Sequence, residues 1–223
     1  MHTPVIAGPI TAAHPPITWA DRDPTAAAAA QARRASRDAP VSAIHLRRLT
    51  PADAHDMTDL LQRLSPRSCY QRYFRLVRSF APADIARFVA VNPGHLAVGA
   101  FDGDVLVGAA QYFRSSDNPH QADVALEVAD SHHRRRVGAR LVHALARLAT
   151  EAGITHFTAT ILAENRAVLG LMRHSGWEIA TTQDGPYADV VVTLPPQVAD
   201  HQPDLQASWR RTADRAPRSV TDS

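Results

Sequence analysis

Between Ala122 and Gly176 the spacing of apolar positions switches back and forth between the period of a strand and that of a helix. Val124, Leu126 and Val128 alternate with Asp123, Ala125 and Glu127, which predicts a strand with one face toward a core and the other toward something polar. The chain then turns through Asp130, Ser131, His132, His133 and Arg134 to Arg136, and Val137, Leu141, Leu145, Leu148 and Ala152 mark one side of a helix. Gly153 ends that helix, and Phe157, Ala159 and Ile161 alternate in a second strand. Glu164-Asn165 leads into a short helix that runs to Met172 and is closed by Gly176.

The rest of the pattern predicts further elements on both sides of this unit. Ile44 to Leu49 reads as a first strand, and Thr50-Pro51-Ala52-Asp53 as a helix start with Thr50 as cap and Pro51 in the first turn. Met57, Leu60, Leu61 and Leu64 supply the buried side of that helix. A second helical stretch includes Cys69 to Leu76, and a third, Ala83 to Val91, stops before Asn92-Pro93-Gly94. Two strands, His95 to Phe101 and Val105 to Phe113, flank the turn Asp102-Gly103-Asp104 as a hairpin. Trp177 to Thr181 and Tyr187 to Leu194 are the end strands. The sum predicts an α/β fold, a mixed sheet of about six or seven strands with helices on both faces.

Composition narrows the class. The 223 residues are 45% hydrophobic and 21% charged, enough for one sizeable core and too few for two full domains. Residues 1–40 mix Pro, Ala, Asp and Arg without an apolar period, and Pro195-Pro196 precedes another polar tract. The expected organisation is a polar, disordered tail at 1–40, a domain at 41–195 and a second such tail at 196–223. One cysteine, Cys69, excludes an intramolecular disulfide, no Cys/His set has the spacing of a metal site, and a reducing cytoplasm is expected. No apolar stretch approaches the length of a membrane span. A net charge of +2 gives no ground for nucleic-acid binding, and Arg134 to Arg136 is a cluster without interleaved aromatics. All 24 basic residues of the Lys+Arg count are arginine, a habit spread along the whole chain that fits a GC-rich bacterial source.

The arginine turn carries the candidate chemistry. The first N–H groups of a helix lack internal partners and sit at the positive end of its dipole, so the start at Val137 favours an anion such as a diphosphate. This segment resembles the GNAT superfamily of N-acetyltransferases, whose signature over such a turn is Gln or Arg, two residues, Gly, one residue, then Gly or Ala. In the best register His133 and Arg136 replace the first two signature residues and Gly138 matches the third. Upstream, Leu64-Ser65-Pro66-Arg67-Ser68-Cys69-Tyr70-Gln71-Arg72-Tyr73-Phe74 is similar to the Leu-Ser-x-x-Ser-x-Tyr-x-Arg-Phe-Phe segment of a bacterial GNAT subgroup that includes protein lysine acetyltransferases. The resemblance covers about residues 44 to 194.

The resemblance implies direct attack of an acceptor amine on the thioester of acetyl-CoA, with a carboxylate as base. Asp123 stands where that subgroup has a Glu, and Glu127 lies four residues on along the same face. It further implies that the backbone of Leu126 to Val128 bonds the pantetheine arm, and that His133 with the amides of Arg134, Arg135, Arg136, Val137, Gly138 and Ala139 holds the diphosphate. Asn165 has two readings, contact with the cofactor arm or cap of the following helix. Many family members carry a tyrosine four residues before the Gly-aromatic pair to reprotonate the departing thiolate; here that position is Met172. The implied function is transfer of acetyl to a primary amine, protein lysine ahead of a small molecule. A noncatalytic acyl-CoA-binding or interaction module with a degenerate turn is the alternative.

Other residues read more plainly. His132-His133 is expected to be a solvent-exposed pair, His143 and His156 structural, and Cys69 a semi-buried helix residue. Arg72, Tyr73 and Phe74 read as core at a helix end or as lining of the acceptor site, and Asp117-Asn118-Pro119-His120 as a loop bordering it.

Overall fold

The computed structural model describes residues 44–77 and 79–196; the tail expected at 1–40, and all but the first residue of that expected at 196–223, lie outside the described residues. Seven strands form one sheet: β1 (Ile44–Arg48), β2 (His95–Asp102), β3 (Val105–Arg114), β4 (Gln121–Val128), β5 (His156–Leu162), β6 (Glu178–Asp184) and β7 (Tyr187–Thr193). Their order across the sheet is β1-β2-β3-β4-β5-β7-β6, and every pairing is antiparallel except β4 with β5. The helices are α1 (Ala54–Gln62), α2 (Pro66–Tyr73), α3 (Pro82–Phe88), α4 (Val137–Glu151) and α5 (Arg166–Ser175).

Alternation along the strands sends side chains to two separate cores. On one face Leu141, Leu145 and Leu148 of α4 pack with Val98, Ala100, Ala110, Tyr112 and Phe157, and Val124, Leu126 and Val128 join them from β4. On the other face Met57, Leu60 and Leu61 of α1 and Ile85 of α3 pack with Ala97, Phe101, Leu106 and Ala109. A third cluster joins α5 to β5 and β7 through Val168, Leu169, Met172, Ile161, Ala188 and Val190.

Local signals explain most boundaries. A single 3-10 turn, Pro51–Asp53, precedes α1, and Asp53 accepts from the Thr50 N–H at 2.8 Å and from Thr50 Oγ1 at 3.0 Å, while Arg47 forks onto its two oxygens. Asp102 pairs with Val105 across Gly103-Asp104, and Gly103 takes φ +59°, the left-handed conformation that a two-residue hairpin turn requires.

Two helices depart from the sequence expectation. The stretch expected to include Cys69 to Leu76 begins earlier, because Ser65 accepts from the Ser68 N–H and Pro66 takes the first turn, and it ends at Tyr73 because Phe74 is left-handed at φ 56°. The helix expected over Ala83 to Val91 runs Pro82–Phe88 and closes with the Val89 N–H donating to the Ile85 carbonyl.

One irregularity positions everything that follows. β4 pairs with β3 from Ala122 to Val128, yet with β5 only at Gln121↔His156, Ala122↔Phe157 and Asp123↔Thr158. Beyond Asp123 the two parallel strands part, and β5 continues in full register with β7. A wedge therefore opens between β4 and β5, with α4 beneath one face of β4 and α2 packed on both strands from the other.

Candidate active site

Asp123 stands at the apex of the wedge. Thr158, its partner across the parallel pair, donates its Oγ1–H to Asp123 Oδ1 and so fixes the carboxylate's direction. Two residues further along β5, Thr160 Oγ1 donates to Asp189 Oδ1 at 2.7 Å. Asp123 remains half-buried.

Glu127 lies on the same face as Asp123 but in a different environment. Its side chain is 0% exposed, and Oε1 accepts from Arg72 Nε at 2.7 Å. The Tyr73 hydroxyl stands 3.5 Å from the same oxygen, while Oε2 is buried without a protein hydrogen-bond partner. Burial acts to lower Arg72, but the attraction of Glu127 prevails and holds the guanidinium above its ordinary value. Burial, reinforced by the Glu127 charge, pushes the Tyr73 phenol far above its usual range, so it stays protonated.

The Leu-Ser-x-x-Ser segment proves to be a clip between α2 and the residues that follow β4. Asp130 accepts from the Ser65 N–H at 2.9 Å, from Ser65 Oγ at 2.7 Å and from Ser68 Oγ at 3.0 Å. Burial acts to raise the Asp130 carboxyl, but the three hydrogen bonds from Ser65 and Ser68, helped by the electrostatic effect of nearby His133, outweigh it, so it lies below the ordinary value. At the other end of α2, Phe74 meets Tyr187 of β7 edge-on with ring centroids 5.2 Å apart. α2 thus crosses the wedge, tied to β4 by Arg72 and Asp130 and to β7 by Phe74.

The turn between β4 and α4 is built from unusual backbone. After a 3-10 turn at Asp130–His132, Arg134 and Arg136 are both left-handed, at φ 62° and 60°. Arg136 is the N-cap of α4 and its side chain makes no capping bond, so the first amides of the helix have no side-chain acceptor from the cap. The cluster of three arginines divides: Arg134 and Arg136 are exposed, whereas Arg135 is 6% exposed and its guanidinium lies 3.7 Å from Asp102 Oδ2. The histidine pair divides as well. His133 is exposed and its Nε2 stands 2.9 Å from the Val128 carbonyl, but His132, expected at the surface, has a side chain only 12% exposed, with Nε2 3.1 Å from Asp102. A Cβ on Gly138 would sit 3.4 Å from Leu126 Cδ2 and 3.9 Å from Val128 Cγ2, ordinary contact distances, which is why either Gly or Ala suits that position.

Asn165 is buried and caps α5, its Oδ1 accepting from the Val168 N–H at 3.3 Å. Met172 packs in the third core cluster, His143 lies edge-on to Trp177, and Cys69 is buried with Sγ 3.8 Å from the Val77 carbonyl. His120 ties the 117–120 loop to the Gly153 carbonyl beyond α4. No described helix is long and apolar enough to cross a membrane, and no group of three or more potential metal ligands forms among the described residues.

The model of the acetyltransferase (GNAT) family matches residues 54–177, more than half of the chain, and takes in the wedge and the turn before α4. The chain belongs to the GNAT acetyltransferase family. It is, as a member, an acetyl-CoA-dependent N-acetyltransferase of mixed α/β fold. Similar solved structures include the GNAT domain of S. lividans PAT, 23% identical over 68% of this chain and 90% of that one, with a TM-score of 0.63. The protein yncA of Salmonella typhimurium, solved with its cofactor acetyl-CoA, is 19% identical over 71% of this chain and 96% of that one, with a TM-score of 0.54. A cAMP-binding acyltransferase from Mycobacterium smegmatis is 23% identical over 77% of this chain and 51% of that one, with a TM-score of 0.53. Curated protein sequences give no match.

Three residues around the wedge and the turn were given no role in the sequence reading: Thr158, Asp130 and Asp102. Each acts through a partner that is 35, 65 or 30 positions away, so local periodicity held no sign of them. The paired serines were visible as a motif; their shared acceptor was not.

Proposed function

We propose that this GNAT enzyme moves acetyl from acetyl-CoA to a primary amine, with Asp123 as the base and protein lysine as the favoured acceptor class over a small-molecule amine. The observation that carries the reading is the end of β4–β5 pairing at Asp123↔Thr158, which leaves the inner edge of β4 open from there to the turn. At about 3.3 Å per residue, Asp123 to Val128 spans roughly 17 Å, a slot that suits an extended arm with a diphosphate at one end and a thioester at the other. The half-buried carboxylate at the apex, not the one sealed against Arg72, is free to approach an acceptor.

Acetyl-CoA supplies an acyl group activated as a thioester. The chain's residues bind and orient it: backbone from Leu126 to Val128 along the arm, the amides of Arg134, Arg135, Arg136, Val137, Gly138 and Ala139 with His133 at the diphosphate, and Asn165 beside the arm. An amine whose reference pKa is about 10.4 must lose a proton to react near pH 7, which costs about 4–5 kcal/mol, and Asp123, oriented by Thr158, takes that proton directly or through water. The nitrogen–carbon bond forms as the carbon–sulfur bond breaks, the nitrogen gives up its second proton to solvent, and the thiolate takes one from solvent, since Met172 has none to give. The preference for protein lysine rests on the Leu64–Phe74 segment, with the fold likeness to the GNAT domain of S. lividans PAT beside it. We place the enzyme in a domain at 41–195, acting in the cytoplasm of a bacterium, with no nucleic-acid partner.

Acetyl-CoA titration followed by an acceptor screen tests the reading. Because the chain contains no lysine, every acetyl-lysine found in a protein assay belongs to the acceptor. Asp123→Asn is expected to lower turnover by about 100-fold while leaving acetyl-CoA affinity within twofold. Selective binding of acetyl-CoA with no transfer to any amine would instead favour a noncatalytic acyl-CoA-binding module.

A further inference from the structure

The turn that precedes α4 is strained, and the residue that holds it lies outside the turn. Two non-glycine residues, Arg134 and Arg136, adopt φ of 62° and 60°, a region that costs an L-residue about 1–2 kcal/mol and persists only where neighbouring structure imposes it. Two side chains of the same turn, His132 and Arg135, point inward and converge on one oxygen, Asp102 Oδ2, at 3.1 and 3.7 Å. Their side chains are 12% and 6% exposed, so little solvent competes with them for the Asp102 oxygen. Asp102 is itself immobilised. It ends β2, pairs with Val105 across the hairpin turn and with Ile44 of β1, and so belongs to the rigid part of the sheet.

The geometry points to Asp102 as the positioning residue for cofactor binding: by holding His132 and Arg135 inward it fixes the left-handed turn, and thereby aims the backbone amides from Arg134 to Ala139 at the diphosphate. In this chain the carboxylate takes over, from the hairpin across the sheet, the conformational role that glycine fills in the GNAT signature at Arg136. The inference rests on the reading that this turn binds the diphosphate. Asp102 touches no part of the ligand in this role; it acts through the turn.

The test is isothermal titration of the full chain with CoA and with pantetheine, which has the same arm without the diphosphate, for the wild type, Asp102→Asn and His132→Gln. Unfolding temperatures of all three are measured alongside. The expected result is that both variants weaken CoA by about tenfold. Pantetheine changes less than twofold, and the unfolding temperatures stay within a few degrees. An unchanged CoA affinity in both variants would overturn the assignment, as would an equal loss for CoA and pantetheine, which is the mark of a general structural defect. A wild type that binds CoA no better than pantetheine would refute the diphosphate reading itself, a result separate from any behaviour of the variants.

Discussion

At the scale of single residues, the site is a set of groups whose environments differ more than their sequence neighbours suggest. Asp123 and Glu127 are four residues apart on one face, yet one is oriented by a threonine hydroxyl at the apex of a wedge and the other is sealed against a guanidinium. Arg134, Arg135 and Arg136 are consecutive, yet only the middle one is buried. Arg136 is the most instructive, because it holds a left-handed φ at a position where the family signature has glycine. Replacing it with glycine relieves that strain but adds freedom to the unfolded chain, so Arg136→Gly is expected to raise stability by only about 0.5–1 kcal/mol, read by urea unfolding. Because the side chain is exposed and does not fill the turn, the same change is expected to weaken CoA severalfold through loss of a nearby positive charge. Tighter CoA binding by the glycine variant would mean that the side chain obstructs the diphosphate.

At the scale of elements, α2 is the helix that bridges the wedge. Its hold on β4 depends on a charge pair whose carboxylate is fully buried while the guanidinium is 28% exposed, and such a pair is costly to break from the cationic side. Arg72→Met leaves the Glu127 carboxylate, with 0% exposure, uncompensated; a loss of about 3–5 kcal/mol is expected in denaturant unfolding. Arg72→Met combined with Glu127→Leu removes both charges and is expected to recover most of that loss. The second hold is the Ser65–Ser68–Asp130 clip, and it responds to acid. A folded-state pKa below the ordinary value gives stability that is fully present above the unfolded value, about 3.9, and is lost as pH falls through the lower folded one. Asp130→Asn is therefore expected to flatten the decline in stability below about pH 4, and an unaltered acid limb would show that the clip contributes nothing there. The β4–α4–β5 unit and its helix-ending glycines were legible in the sequence because each follows from a period or a local cap. The end of α2 at Tyr73 was not, because Phe74 turns left-handed while packing on Tyr187, more than a hundred residues away in the chain. The two candidate carboxylates were visible on one strand in the sequence; the contacts that set their environments apart, Arg72 on Glu127 and Thr158 on Asp123, are brought alongside only by the fold.

At the scale of the whole molecule, the sheet sets the limits of the domain. Ile44, the first described residue, is 2% exposed and pairs with Asp102, while Leu194, just past the last strand, is 5% exposed in the same core. Both ends of the proposed domain at 41–195 are therefore fastened by buried apolar side chains, and the segment 41–195 produced alone is expected to unfold within about 3 °C of the full chain and to bind acetyl-CoA equally well. The limit is sharp on the N-terminal side. A segment beginning at Leu49 loses β1, and with it the buried Ile44 and Leu46, at about 1.5–3 kcal/mol each, and leaves the outer edge of β2 unpaired. It also removes Arg47, whose fork on Asp53 anchors the start of α1, and the pairing that steadies Asp102 beside the turn before α4. The shorter segment is thus expected to lose both cooperative unfolding and CoA binding, and calorimetry of the two segments with and without CoA measures both. If the segment from Leu49 bound CoA as the full chain does, β1 would be an ornament of the sheet and Asp102 would need no support from it.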